Sequence, residues 1–182
     1  RTKYENGKFV KRKSRLCANG MWMKCNPEDT FAPTSNRASY MTVIALCALY
    51  GCTLYAGDIT AAYINAEIDP KMKIFMAQPK GHIKKGMEDM ICRLKKALYG
   101  IPTAGNLWYK MVSEFMLKIG FKRSEQDPSI FFKWIIDDLM VVSLATDDFL
   151  WFSTCDAMGT DMIAQLSKKF KYVDKGVADC FL

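Results

Sequence analysis

The apolar and polar positions of this chain change period several times, and each change marks an element. Residues 38–57 carry no charge between Arg37 and Asp58. Met41, Ile44, Ala45, Ala48 and Leu49 recur there at helical spacing, and Gly51 divides the run. This pattern predicts a buried helix over residues 38–50 and a strand over 53–59 that delivers Asp58 near its end. Twenty uncharged residues could formally span a bilayer, but Ser39, Thr42, Gly51, Thr53 and Gly57 dilute the run, so no membrane span is expected. Between Asn106 and Ile119, Leu107, Met111, Phe115 and Ile119 line one face of an amphipathic helix that Gly120 ends.

Residues 129–154 change to three short apolar, β-rich runs, Ile130 to Ile136, Leu139 to Ala145 and Phe149 to Ser153. Acidic turns, Asp137-Asp138 and Thr146-Asp147-Asp148, separate them, so the segment reads as a meander of buried strands. A last helix is expected over about residues 158–170, ending in basic residues that suit its dipole. Nearer the N-terminus, Lys8 to Cys17 reads as extended after an Asn6-Gly7 turn, and short strands are expected near Lys73 to Met76 and Ile91 to Lys96. Helices and strands interleave without βαβ regularity, which makes the fold class α+β.

Composition narrows the chemistry. The 182 residues are 50% apolar and 25% charged, enough to bury a core. Seven cysteines form no CxxC pair and His82 is the sole histidine, which disfavours a His-bearing zinc cluster and a Ser-His or Cys-His hydrolase. Scattered cysteines in odd number read as buried thiols of a reducing, intracellular compartment. The first residue is Arg, so a piece of a longer protein or a processed product is expected. The net charge of +7 is unevenly placed: residues 1–30 carry net +5, 71–123 net +9, and 137–162 six aspartates with no base. Solvated surface explains such runs; so do basic flanks for phosphates around an acidic centre for divalent cations.

Asp147 and Asp148 sit side by side on a turn, where like charges repel and one carboxyl has its pKa raised. A metal cation relieves that repulsion, and so does open solvent. If the strand ending near Asp58 neighbours this turn, three carboxylates converge, enough hard oxygen for one or two Mg²⁺. Asp137-Asp138 offers a second acidic pair.

The order of the motifs resembles the reverse transcriptase domain of copia-like LTR retrotransposons over nearly the whole chain. KRKSRLCANG is similar to that family's KARLVAKG segment, and DTFAP to its ETFAP. GDITAAYINA resembles the palm strand that carries the first catalytic aspartate. CRLKKALYG and NLWYKMVSEFMLKIGFKRSEQDPSIFF track its RLKKSLYG, WY-helix and DP-strand segments, and DDFLWFSTCD its YVDD hairpin and exit. The family places its acidic pair about two strands after the Asp-Pro, which selects Asp147-Asp148 over Asp137-Asp138.

The resemblance implies an antiparallel palm sheet with packed helices and a partial fingers lobe. Residues 1–182 would form one reverse-transcriptase-like domain, with 1–35 and 72–100 fingers-like, 36–71 and 101–182 palm-like, and thumb and RNase H absent. It implies that Asp58, Asp147 and Asp148 are the catalytic metal ligands for Mg²⁺ or Mn²⁺. Tyr63 would be the aromatic gate against a 2′-hydroxyl, and Lys13 and Arg15 contacts to the incoming triphosphate. Template–primer (RNA or DNA) and dNTPs would be the partners of an active enzyme. There are departures: Ala145-Thr146 replaces the family's Tyr-Val, Pro102 and Thr103 replace a Lys and a Gln, and Asn19 stands where the family has Lys. Matching carboxylates with altered support fit a divergent polymerase. They equally fit a degenerate or domesticated subunit that binds protein partners in a larger complex.

Overall fold

The computed structural model describes residues 2–5, 8–12 and 14–178. The Asn6-Gly7 turn, Lys13 and Cys180 lie outside them. The chain runs β1 (Thr2–Glu5), β2 (Lys8–Arg12), α1 (Arg37–Leu49), β3 (Tyr55–Ile59), β4 (Phe75–Ala77), β5 (Ile91–Arg93) and α2 (Ala104–Lys118). It continues through β6 (Lys122–Arg123), β7 (Ile130–Ile135), β8 (Asp138–Ala145), β9 (Asp148–Ser153), α3 (Asp156–Lys169) and β10 (Tyr172–Val177). Six strands form one sheet in the order β10-β3-β9-β8-β7-β6, and every described pairing is antiparallel. The hairpins β1-β2 and β4-β5 stand as separate two-stranded sheets. The fold is α+β, as the pattern predicts.

Both faces of the large sheet are covered, which explains why β8 is apolar without alternation. Met140, Val142 and Leu144 join the core built with Trp108, Val112 and Met116 of α2 and Met162 and Leu166 of α3. Leu139 and Val141 face the other way, onto Val43 and Cys47 of α1. A period-2 strand thus serves two cores at once. Among the described residues, no helix is long and apolar enough to cross a membrane.

Several expectations need correction. The helix over 38–50 forms, capped by Asn36, whose side chain accepts the Ser39 N–H at 2.9 Å. It is not buried, however: Val43 and Cys47 alone are, while Met41 and Leu49 of the expected face are exposed. A helix apolar on all sides carries no directional signal, so its contact face is decided by where the sheet lies. In α2 the deepest residues are Trp108, Val112 and Met116, and Leu107, Met111, Phe115 and Ile119 pack half-buried beside them. The apolar stripe is wide because Phe170 wedges against this helix, edge-on to Trp108 and to Phe115. Of the stretch from Lys8 to Cys17, Lys8–Arg12 form a strand and residues 14–17 do not. Of the described cysteines, only Cys47 is buried, and all are free thiols. Strand β10 is absent from the pattern reading altogether. It is short, mostly exposed and mixed in polarity, and it exists because β3 offers it an edge.

Candidate active site

Three strands bring the acidic residues together. Asp58 on β3 and Asp148 at the start of β9 are directly opposed partners of one antiparallel ladder. Asp147 precedes Asp148 in the two-residue turn between β8 and β9, and Ala145 pairs with Asp148 across it. The turn is fixed from two sides. The Ile59 N–H donates to the Asp147 carbonyl at 2.8 Å, and the indole N–H of buried Trp108 donates to the Thr146 carbonyl at 2.6 Å. Thr146 sits at φ 58, an uncommon left-handed conformation for a β-branched residue, which this clamp holds in place.

Opposed carboxylates repel, and the structure shows what offsets it. The Lys175 ammonium from β10 lies 2.6 Å from Asp148 Oδ1 and 3.9 Å from Asp58 Oδ1. Burial pushes the Asp147 carboxyl above its ordinary range, and the charges of Asp148 and Asp58 add to the rise. Burial works against the Lys175 charge, but its hydrogen bond to Asp148 and the surrounding aspartates outweigh it and raise its pKa. Among the described residues, no group of three His, Cys, Asp or Glu side chains stands in metal-holding geometry. The carboxylate oxygens of Asp58 and Asp148 nevertheless hold a cation now, the lysine's, and are of the hard kind that Mg²⁺ and Mn²⁺ take.

Asp147 also borders a cavity of about 280 Å³ shared with Arg15, Ala62, Tyr63, Tyr99 and Thr146. Tyr63 follows β3 in a short 3₁₀ turn and packs its ring 4.8 Å from that of Tyr99. Burial raises the Tyr63 phenol pKa, and the Asp147 charge raises it further. Arg15 lies over the Tyr99 ring at 5.5 Å. That stacking depends on backbones meeting closely: Ala18 N–H donates to the Tyr99 carbonyl at 2.7 Å, and any Cβ on Gly100, at φ 90, would overlap the Ala18 carbonyl. A larger groove, about 870 Å³ between α2 and α3, includes none of the three aspartates.

Of the residues singled out in sequence, Asp58, Asp147, Asp148, Tyr63 and Arg15 come together at this end of the sheet, and Lys13 lies outside the described residues. Thr103 lies buried at the head of α2, its hydroxyl without a partner. Sequence reasoning misses Tyr99, Trp108 and Lys175. The first two stand inside the quoted LYG and LWY motifs, whereas Lys175 has no signal because its strand has none.

The whole chain, residues 1–182, matches the family described as reverse transcriptase (RNA-dependent DNA polymerase). The chain belongs to the reverse transcriptase family. Its relatives include the retrovirus-related Pol polyprotein from transposon TNT 1-94 of Nicotiana tabacum, 28% identical over 96% of this chain and 13% of the relative. The corresponding polyprotein from transposon RE1 of Arabidopsis thaliana is 26% identical over 97% of the chain and 12% of the relative. The transposon Ty1-H Gag-Pol polyprotein of Saccharomyces cerevisiae is 28% identical over 83% of the chain and 8% of the relative. This reverse transcriptase domain is a divergent, copia-like one, as the motif order implies. It spans about an eighth of the TNT 1-94 and RE1 polyproteins. No solved structure matches it. Its antiparallel sheet and three described helices are consistent with a reverse transcriptase domain.

Proposed function

We propose that this domain is the fingers–palm part of an RNA-directed DNA polymerase, with Asp58, Asp147 and Asp148 as its catalytic carboxylates. The observation that carries the reading is the in-register Asp58–Asp148 pair, with Asp147 beside it on a clamped turn that borders a cavity. The three side chains would hold Mg²⁺ or Mn²⁺. When bound, such ions supply the charge that activates a primer hydroxyl and steadies a leaving pyrophosphate. The chain's own groups do the rest. Arg15 brings positive charge to the cavity for a triphosphate, held over Tyr99. Tyr63 fills space beside Asp147 where a ribose 2′-hydroxyl would fall. Trp108 keeps the Thr146 carbonyl, and with it the acidic turn, from shifting as charge builds. In this reading residues 1–35 and 72–100 are fingers-like, 36–71 and 101–182 palm-like, and the net positive segments 1–30 and 71–123 face template–primer.

Primer extension on an RNA template by the full-length protein carrying this domain tests the proposal. Asp148→Asn and Asp58→Asn should each lower synthesis by about a thousandfold or more, as expected for loss of a metal-holding carboxylate. Synthesis that survives both substitutions would overturn it. A second reading, a catalytically degenerate subunit that binds nucleic acid or protein, draws on the Lys175 ion pair, which satisfies Asp148 and Asp58 without a metal. It requires that the unsubstituted protein make no product with Mg²⁺ or Mn²⁺.

A further inference from the structure

Strand β10 does not run straight past the carboxylates. Asp174 pairs with Gly57 and Gly176 with Ala56, so Lys175 is the extra residue of a β-bulge. Local bonds build the bulge: Gly176 adopts φ 74, and its N–H donates to Asp174 Oδ1 at 2.9 Å. The strand is docked one turn of the ladder away by Tyr172, whose ring meets Phe149 edge-on at 5.9 Å. The Tyr172 hydroxyl lies over Gly57, where any Cβ would overlap it. A bulge re-aims one side chain, and here it points Lys175 across the end of β3 toward Asp148 and Asp58. The ammonium is therefore held there by strand geometry and not only by a surface lysine's free search.

We propose that Lys175 is a resident countercharge that a divalent cation must displace from Asp58 and Asp148, so that this residue sets the metal affinity of the site. The inference rests on the reading of these aspartates as metal ligands given above. An ammonium 2.6 Å from the Asp148 oxygen and a metal ion on that same oxygen are like charges that cannot share the position. The lysine side chain is 47% exposed, so it can swing its charge into water on a four-carbon stem. The competition is accordingly modest, about tenfold in affinity, equivalent to about 1.4 kcal/mol.

The test uses Mn²⁺ alone, without nucleotide or nucleic acid, titrated into the full-length protein by calorimetry and followed by the electron paramagnetic resonance of free Mn²⁺. Lys175→Met removes the charge and keeps the length, and Lys175→Gln is a second neutral variant should the first fold poorly. Either should bind Mn²⁺ about tenfold more tightly than the natural chain, whereas Lys175→Arg should stay within about twofold of it. Asp148→Asn should weaken binding by about tenfold or more. Unchanged or weaker Mn²⁺ binding in the neutral variants, with Asp148→Asn still damaging, would overturn the role of Lys175 and leave the metal-ligand reading intact. Binding indifferent to Asp148→Asn would overturn both.

Discussion

Asp127 is a buried carboxylate, 6% exposed, and the structure says what removing it should cost. Its Oδ1 accepts from the Ser129 N–H at 2.9 Å and from the Ser129 hydroxyl, and its Oδ2 from the Asn36 backbone N–H at 3.3 Å and side-chain amide at 3.0 Å. Because the Ser129 hydrogen goes to the carboxylate, the Ser35 hydroxyl must donate to Ser129 at 2.9 Å, and Ser143 to Ser35 at 2.6 Å. One ordered chain of hydroxyls thus ties the loop before α1 to β7 and β8. Burial opposes the charge, but the bonds from Ser129, Ser39 and Asn36 outweigh it and hold the carboxyl below its ordinary value. In Asp127→Ala, Asn36 is exposed and its donors turn to water, and the Ser129 hydroxyl turns to Ser35 Oγ, while the N–H of fully buried Ser129 is left stranded. At about 1–3 kcal/mol for a stranded donor, the expected loss is about 2 kcal/mol, or about 4–8 °C in Tm for a domain of this size. Asp127→Asn retains one acceptor and should lose about 1–2 kcal/mol.

Since the folded pKa is depressed, the stabilisation is present above the unfolded value, about 4, and is lost as pH falls through the folded one. Urea unfolding at neutral and acid pH, with m unchanged, reads both effects. The gap between the natural chain and Asp127→Asn should close on acidification. An Asp127→Ala variant within about 0.5 kcal/mol of the natural chain, or a gap indifferent to pH, would refute the reasoning.

Trp108→Phe keeps most of the packing and removes the donor to Thr146. It should cost about 1–2 kcal/mol and speed hydrogen exchange at the Ile59 N–H, which bonds the Asp147 carbonyl; unchanged exchange there would show that the indole does not hold the turn. Tyr63→Ala should raise ribonucleotide over deoxyribonucleotide incorporation in primer extension by about tenfold or more, and an unchanged ratio would leave Tyr63 as a packing partner of Tyr99. Oligonucleotide affinity should fall steeply with salt, and neutralising Lys11, Arg12 and Lys13 together should flatten the log–log slope by up to about 0.9 for each phosphate that is no longer neutralised. Salt-independent binding would contradict a role for these basic residues.

The chain's own pattern is strongest where secondary structure and burial coincide. The meander of β7, β8 and β9 reads almost residue for residue, because its apolar runs end sharply at acidic turns; β8 and β9 are buried as expected, whereas β7 is exposed at Trp134 and Ile135, toward the Asp137-Asp138 turn. The order of motifs likewise carries the family and places Asp58, Asp147 and Asp148 as candidates, since each lies within a run of sequence that identifies it locally. Local sequence could not say which face of an all-apolar helix meets the sheet, so Met41 and Leu49 proved exposed while Val43 and Cys47 proved buried. Nor could it choose between adjoining stripes of α2, because both touch apolar partners. Lys175 is the sharpest case. A short strand of mixed polarity has no period of its own, and its bulge, and so the aim of its lysine, follows from pairing with β3 across a long sequence separation. That Asp58 and Asp148 stand opposed is decided by the ladder, and that a lysine rather than solvent answers their charge is decided by the strand beside it. Local periodicity records which residues prefer to be buried; only the closed sheet sets which charges must face one another.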